Sequence, residues 1–289
     1  MIKEPLFTGL CTALVTPFRK GSMDEAALRE LVRRQIASGV RALVACGTTG
    51  EASTLTDAEW ERVLRVTLET ARDRAIVLAG TGTNDLRRTL ERARTAAALG
   101  AHAQLTVTPY YNKTTQRGLV DYFTRVADGS GLPLMMYNVP GRTGLNLLPE
   151  TAARLAEHPL IIGVKEASGD LNQMAELLRL RCLPVYCGSD ELIAPALRLG
   201  AAGAVSVVSN LLPEEARQLC AADYAEASAL QQTLQPLIRA LFFEVSPAPV
   251  KAALELMGLC SAEVRSPLVP VEEATRQRLR ALLRQEVRA

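Results

Sequence analysis

The chain has 289 residues, of which 48% are hydrophobic and 22% charged. This composition excludes a disordered polypeptide, and the length suits one barrel with an extension. The formal net charge is +2 and acidic and basic residues are interspersed, which excludes a concentrated basic surface for nucleic acid or a membrane. The sequence contains no apolar stretch with the length of a membrane span.

The chain contains six cysteines and no Cys-x-x-Cys pair. Several of these cysteines lie in apolar runs, where a free thiol behaves as a small hydrophobic side chain. Residues 1–5 show no signal-peptide pattern and lead directly into the first predicted strand. We therefore expect a reduced, cytoplasmic protein.

Eight short runs rich in β-forming residues recur along the chain, spaced roughly 20–35 residues apart as strand–helix units require. They cover residues 10–16, 42–46, 76–80, 104–108, 134–138, 161–166, 185–187 and 203–208. Helical patterns fill the gaps between them. Two of the helix starts are predicted by the capping-box spacing, from Ser22 to Glu25 and from Thr56 to Glu59.

Eight strand–helix units in about 200 residues favour a closed parallel barrel of the TIM (β/α)8 type over a doubly wound sheet. After about Ala227 the alternation stops, and helical patterns run to the end with a break at Ser246-Pro247-Ala248-Pro249. We therefore predict a barrel with the active site in residues 1–227 and a C-terminal helical region in residues 228–289.

Lys165 lies in an apolar run, in a chain with only five lysines among 33 basic residues. Burial disfavours the ammonium form of a lysine, and a neutral amine attacks a carbonyl carbon to form a Schiff base. The alternative is that Lys165 ends an edge strand and points into water. Strand alternation places Ile161, Gly163 and Lys165 on one face, and Gly163 would leave open volume beneath the lysine if that face is the barrel interior.

Catalytic groups of such barrels come from the carboxyl ends of the strands and from the loops that follow. Several unusual residues of this chain fall at those positions: the turn Gly47-Thr48-Thr49-Gly50 after the second strand, Tyr111 after the fourth, Tyr137 at the end of the fifth, Lys165 at the end of the sixth and Gly188-Ser189-Asp190 after the seventh. All of them would surround one rim, which favours an active-site lysine.

The rim residues suggest complementary chemistry. Backbone N–H groups and hydroxyls of the Thr48–Thr49 turn can hold a carboxylate or phosphate, although an ordinary turn has the same sequence. Two phenols, Tyr111 and Tyr137, can pass protons through a threonine hydroxyl. The guanidinium of Arg142 can bind a substrate carboxylate bidentately, although a solvated arginine is the alternative in an arginine-rich chain.

Metal and cofactor signals are missing from the sequence. The two histidines, His102 and His158, have no partner at ligand spacing. No Gly-x-Ser-x-Gly elbow or Walker loop occurs, and Gly80-Thr81-Gly82 lacks the third glycine of a dinucleotide fingerprint. We therefore predict no metal and no cofactor, and covalent catalysis by an amine.

Four motifs carry a resemblance to a known family. They are GTTGE, VTPYYNK, YNVPGRTG and GVKEASG, at residues 47–51, 107–113, 137–144 and 163–169. In this order they resemble the 4-hydroxy-tetrahydrodipicolinate synthases, long called dihydrodipicolinate synthases. These belong to the N-acetylneuraminate lyase superfamily of pyruvate-dependent class I aldolases. The similarity covers nearly the whole chain.

The resemblance implies a lyase that condenses pyruvate with L-aspartate-4-semialdehyde to 4-hydroxy-tetrahydrodipicolinate, in lysine and diaminopimelate biosynthesis. It implies that Lys165 forms the imine with pyruvate and that Tyr137 donates and accepts protons. Thr48 and Tyr111 would complete the proton relay.

The resemblance also implies binding residues and partners. Thr49, Val205 and Gly188 would bind pyruvate, and Arg142 would receive the carboxylate of the semialdehyde. A homotetramer built from two tight dimers is implied as well, with Tyr111 crossing into the neighbouring subunit.

Regulation is the point at which the chain departs from the family pattern. Lysine-inhibited members resemble one another at an interface pocket with a histidine-type residue and a glutamate. The matching positions here hold Trp60 and Arg88, with Asn84 retained. Because a cationic Arg88 repels a lysine ammonium, our hypothesis is that lysine inhibits this protein weakly or not at all.

Two other functions remain open from the sequence. A sibling lyase for sialic acid or a 2-keto-3-deoxy sugar acid would share Lys165, Tyr137 and the threonine turn, whereas Arg142 and Tyr111 favour the synthase. A catalytically silent barrel that binds a keto acid is the third possibility. An intact Lys165 beside Tyr137 argues against it, because a pure binder has no need of a costly buried amine.

Overall fold

The computed structural model describes residues 3–286. Residues 1, 2 and 287–289 lie outside the description, and residues 287–289 belong to the predicted C-terminal region. Within the described residues eight parallel strands close into a barrel, in which strands adjacent along the chain are neighbours. The barrel strands are β1 (Gly9–Ala13), β4 (Ala42–Ala45), β5 (Ile76–Gly80), β6 (Ala103–Val107), β7 (Leu134–Asn138), β8 (Ile161–Glu166), β9 (Val185–Cys187) and β10 (Gly203–Ser206). The predicted barrel is confirmed, and the doubly wound alternative is wrong.

Helices surround the barrel, and four of them come after its last strand. Those up to the last barrel strand are α1 (Glu25–Ala37), α2 (Asp57–Ala71), α3 (Leu86–Ala98), α4 (Gln116–Ser130), α5 (Pro140–Thr143), α6 (Pro149–Leu155), α7 (Leu171–Leu180) and α8 (Ile193–Leu199). After β10 come α9 (Pro213–Ala221), α10 (Tyr224–Ala240), α11 (Ala248–Leu256) and α12 (Glu273–Glu286). In residues 3–286 no helix is long and apolar enough to cross a membrane.

A small antiparallel hairpin, β2 (Phe18–Arg19) with β3 (Ser22–Met23), corrects one predicted helix start. Ser22 lies in β3, and Asp24 instead caps α1 by accepting a hydrogen bond from the N–H of Ala27 at 3.0 Å. The predicted box at Thr56 and Glu59 is confirmed, because both of its reciprocal hydrogen bonds are present. An aspartate two residues after a predicted capping-box serine can thus form the cap instead.

Two apolar layers hold the barrel together. One fills the interior and includes Met135, Tyr137 and Tyr186, and the other lies between strands and helices and includes Leu134 and Ile161. The predicted placement of Ile161 on the face of Lys165 is therefore wrong. The reason is a register irregularity between β7 and β8, where Leu134 pairs with Ile161 but Met135 already pairs with Gly163.

The volume predicted beneath Lys165 is also occupied. A Cβ at Gly163 would lie 3.3 Å from the Tyr186 ring and 3.8 Å from Met135 Cε. The absence of a side chain at Gly163 thus makes room for the Tyr186 and Met135 side chains. These side chains fill the volume that was predicted to be open beneath Lys165.

The helices after the barrel pack back onto it. Helix α10 contacts α8 and α9, and α11 contacts α12. Helix α10 begins at Tyr224 and continues through the predicted boundary between residues 227 and 228. The division into a barrel and a helical region remains a prediction.

Candidate active site

Lys165 and Tyr137 lie side by side inside the carboxyl-terminal mouth of the barrel. They are register partners in β8 and β7, and Tyr137 belongs to the interior apolar layer. Lys165 is 6% exposed, and its Nζ lies 4.3 Å from the centroid of the Tyr137 ring. The amine therefore faces the interior of the barrel, which excludes the alternative of an edge-strand lysine in open water.

A cavity of about 270 Å³ opens around this amine. Its lining joins groups from five loops or strand ends: Thr48, Thr49, Tyr137, Arg142, Lys165, Gly188 and Asp190. The structure thus brings together most of the residues that the sequence singled out. A small keto acid fits a cavity of this size, which is below the range for drug-sized ligands.

Gly188 touches the stem of the lysine. A Cβ at this position would lie 2.7 Å from Lys165 Cε and 2.7 Å from Ala167 Cβ. Only glycine therefore lets the lysine keep its course into the cavity.

We expect Gly188→Ala to lower kcat/KM by about 10²-fold, the size of effect that a displacement of about 1 Å produces at a reacting group. Gly141→Ala is the matched control, because a Cβ at Gly141 has no neighbour within 4 Å. Steady-state kinetics of both variants test this, and equal activity in the two would contradict the proposed contact.

The threonine turn links β4 to α2 and has a defined shape. The N–H of Gly50 donates to the Gly47 carbonyl at 3.1 Å, and the N–H of Glu51 donates to the Thr48 carbonyl at 3.1 Å. Thr49 is buried, whereas Thr48 is exposed at the surface of the cavity. The turn therefore contributes one buried and one exposed threonine to the lining of the cavity.

A buried ion pair anchors the threonine turn to the C-terminal region. Glu51, at φ 52°, has Oε1 2.7 Å from Lys251 Nζ, and the two side chains are 1% and 0% exposed. The backbone N–H of Arg265 donates to Glu51 Oε2 at 3.0 Å. Helix α11 and the segment before α12 thus hold the turn, although the sequence reasoning assigned neither Glu51 nor Lys251 a role.

The two rim tyrosines and Tyr110, the neighbour of Tyr111 in the sequence, have different environments. Tyr137 is buried beside the lysine, and Tyr110 is half-buried against a second cavity. Tyr111 is 91% exposed, has a φ of 69° and lines neither cavity. Within one chain, the structure does not bring Tyr111 to Thr48 and Tyr137.

Arg142 lies in α5, directly above the two cavities and lining both. Its guanidinium donates to the Ser246 carbonyl at 3.1 Å, so the C-terminal region also orients this side chain. The guanidinium stays exposed and retains donors for a carboxylate.

Val205 differs from its predicted position, whereas Asp190 lies at the cavity with the other predicted rim residues. Val205 is buried in the interior layer and is not among the cavity-lining residues, whereas Val207 is. Asp190 lines the cavity and accepts hydrogen bonds from the N–H groups of Val207 and Val208 at 3.0 and 2.7 Å. Burial raises the pKa of the Asp190 carboxyl, while the N–H groups of Val208 and Val207 oppose the rise.

Trp60 and Arg88 do not line the cavity around Lys165. Trp60 is 2% exposed, and its indole N–H donates to the Gly80 carbonyl at 3.0 Å. Arg88 pairs with Asp57 at 2.9 Å. Within residues 3–286, no group of three or more histidine, cysteine, aspartate or glutamate side chains is arranged to hold a metal ion.

The fold and the cavity define the class of protein: a (β/α)8 barrel with a lysine inside its carboxyl-terminal mouth. The chain matches the dihydrodipicolinate synthetase family over residues 6–286. The chain belongs to that family.

Individual relatives agree with this assignment. The chain is 47% identical over 287 residues to the 4-hydroxy-tetrahydrodipicolinate synthase of Geotalea uraniireducens, with 97% of this chain and 99% of the relative covered. It is 49% identical over 278 residues to that of Exiguobacterium sibiricum, with coverage of 93% and 94%. The crystal structure of dihydrodipicolinate synthase from Thermotoga maritima has a TM-score of 0.95 at 41% identity, with coverage of 97% and 98%.

Proposed function

We propose that this protein condenses pyruvate with L-aspartate-4-semialdehyde through a Schiff base on Lys165, forming 4-hydroxy-tetrahydrodipicolinate for lysine and diaminopimelate synthesis. The observation that carries the proposal is the position of Lys165 Nζ, buried in a small cavity and 4.3 Å from the Tyr137 ring centroid. Membership in the synthetase family supports it.

The first half of the reaction uses Lys165, Tyr137 and the threonine turn. Nζ adds to the ketone carbon of pyruvate, and the carbinolamine loses water to give an imine. The Thr49 turn and the loop at Gly188 hold the pyruvate carboxylate. Tyr137 and Thr48 pass the protons that the addition and dehydration require.

The second half forms the carbon–carbon bond and releases the lysine. Loss of a methyl proton converts the imine to an enamine, whose carbon attacks the aldehyde while the aldehyde oxygen takes a proton. The amino group of the semialdehyde then attacks the imine carbon, closing the ring and displacing Lys165. Arg142 binds the semialdehyde carboxylate at the cavity mouth.

A second copy of the chain completes this site. Tyr111 is 91% exposed and lies outside the cavity of its own chain, a position that suits insertion into the site of a neighbour. We assign Tyr111 to the proton relay of the partner within a tight dimer, and two such dimers to a homotetramer. Six free cysteines suit the reducing cytoplasm as the place of action.

Trapping the imine tests the proposed function. We expect incubation with pyruvate and borohydride to add one reduced pyruvyl group per chain, located on Lys165 by peptide mass spectrometry. Borohydride without pyruvate is the control. An adduct on any other lysine, or none, would contradict the proposal, and parallel assays with aspartate-semialdehyde and 2-keto-3-deoxy sugar acids separate the synthase from a sibling lyase.

Lysine inhibition is expected to be weak or absent. Arg88, which pairs with Asp57, stands where the resemblance implies a glutamate in lysine-inhibited members, and a cation at that position repels a lysine ammonium. Titrating the activity with L-lysine measures the effect. Half-inhibition at sub-millimolar lysine would show that the Arg88 argument is wrong.

A further inference from the structure

The strand residues that follow Tyr137 and Lys165 form a second pair. Asn138 and Glu166 are register partners in β7 and β8, and because side chains alternate along a strand, they lie on the opposite face of the barrel wall. Both are buried, with exposures of 0% and 1%. A buried carboxylate one residue from the lysine has no part in the chemistry proposed above, so its presence requires another explanation.

The donors to the Glu166 carboxylate are neutral groups. Its Oε2 accepts hydrogen bonds from Asn138 Nδ2 and Gln173 Nε2, both at 2.9 Å, and its Oε1 accepts one from the backbone N–H of Ser168 at 2.7 Å. An ionised carboxylate accepts hydrogen bonds and donates none, so three donors suit the charged form. Because a charge buried among neutral groups is costly, packing alone would favour an apolar side chain at this position.

Glu166 joins three parts of the cavity around Lys165. Its carboxylate binds Asn138, the residue that follows Tyr137. Its backbone carbonyl accepts a hydrogen bond at 2.8 Å from the N–H of Gly188, the glycine that packs against the stem of the lysine. The relative positions of the amine, the phenol and this glycine therefore depend on one residue.

The Asn138 amide extends the network to the loop that follows Arg142. Its Nδ2 also donates to Asn146 Oδ1 at 2.8 Å, and its Oδ1 accepts from the N–H of Leu147 at 2.9 Å. Both hydrogens and the oxygen of the amide are thus used. A change in one member leaves others unpaired in a buried place, so the network has one favoured geometry.

We propose that Glu166 is a positioning residue: its buried carboxylate sets the separation between the Lys165 amine and the Tyr137 ring. Glu166 does not line the cavity, so it acts through the ends of the two strands. Its effect on catalysis rests on the proposed function, whereas its effect on the position of the lysine does not.

Glu166→Gln tests the proposal with almost no change in volume. Its amide oxygen can still accept from Asn138 and Gln173, but its NH₂ group then meets the N–H of Ser168, and two donors face each other. We expect the rate of imine formation, followed by borohydride trapping over time, to fall by about 10²-fold, the effect of a displacement of about 1 Å at a reacting group. The pyruvate concentration that gives half the maximal rate should stay nearly unchanged, since the Thr49 turn lies outside the network.

Glu176→Gln is the matched control, because it makes the same substitution at an exposed glutamate of α7 and should keep the full rate. Gln173→Leu guards against a folding defect in Glu166→Gln. It removes one donor from a half-buried position, keeps the Ser168 contact, and should slow imine formation by a smaller factor. Thermal denaturation shows which variants are folded.

A crystal structure of Glu166→Gln, or of Gln173→Leu if only that variant folds, separates this inference from the proposed function. We expect the separation of Lys165 Nζ from the Tyr137 ring centroid to depart from 4.3 Å by about 1 Å in Glu166→Gln, and by less in Gln173→Leu. An unchanged separation or an unchanged rate of imine formation would overturn the positioning role. Equal losses of rate and of pyruvate affinity would indicate a general loosening of the site and would overturn it as well. If the unsubstituted protein formed no adduct, the proposed function would be wrong, and the comparison of structures would still decide the role of Glu166.

Discussion

Lys165→Ala is expected to lower kcat by roughly 10⁴–10⁶-fold, the range found when a covalent nucleophile is removed from an enzyme. Without Nζ neither the imine nor the enamine forms, so no other group of the cavity can substitute. Lys165→Arg should behave alike, because a guanidinium is not deprotonated and does not add to a ketone. Steady-state rates and borohydride trapping both measure the loss.

Lys20→Asn is the control for these variants, since it removes an exposed lysine in the hairpin turn and should keep full activity. The folded state of Lys165→Ala must also remain intact, as measured by circular dichroism. Turnover within tenfold of the unmodified protein would mean that the lysine is not the nucleophile.

Lys251→Met is expected to lower the free energy of unfolding by about 3–5 kcal/mol, the usual cost of leaving one partner of a buried ion pair unpaired. Glu51 is 1% exposed at its side chain and would keep only the backbone N–H of Arg265 as a donor. Urea denaturation gives the change, and KM for pyruvate should rise because the threonine turn loses its support.

Two further variants make the result specific. Combining Glu51→Gln with Lys251→Met removes both charges and should recover much of the lost stability. Arg276→Met breaks a surface ion pair in the same C-terminal region, with side chains 29% and 36% exposed, and should cost no more than about 1 kcal/mol. A loss in Lys251→Met no larger than in Arg276→Met would contradict the anchoring role.

The sequence predicted the barrel well because its strands are buried on both faces and read as apolar runs bounded by turns. The run at residues 134–138, for example, is β7 in the structure. The predictions were wrong where the structure depends on a single residue. Helix α1 is capped by Asp24, whereas Ser22 was predicted as the cap. The irregular pairing of β7 with β8 places Ile161 in the outer layer, whereas it was predicted to face the interior with Lys165.

The two buried lysines, Lys165 and Lys251, show that residue type and an apolar surrounding sequence do not by themselves identify a catalytic lysine. Lys251 lies in an apolar run as Lys165 does, so the same reasoning would assign both the same chemistry. What separates them is a carboxylate: Glu51 pairs with Lys251 across 200 residues of sequence, whereas Lys165 faces a cavity. No local pattern reports such a distant partner.

Tyr111 marks a different limit. Its sequence position predicts a rim residue, and the fold leaves its side chain exposed and outside the lining of its own cavity. In the proposed dimer, contact between two copies would bring Tyr111 to the lysine of the partner, and no periodicity within one chain encodes such a contact.

The C-terminal helices make the catalytic centre and the tail of the chain interdependent. The Ser246 carbonyl accepts a hydrogen bond from Arg142, and Lys251 pairs with Glu51, so one short stretch of the tail supports both the Arg142 loop and the threonine turn of the cavity. A fragment truncated after residue 227 would keep every barrel strand yet leave both loops untethered. The barrel is therefore not an independent unit for protein engineering. Transfer of its active-site loops to another scaffold would require transfer of the C-terminal tail as well.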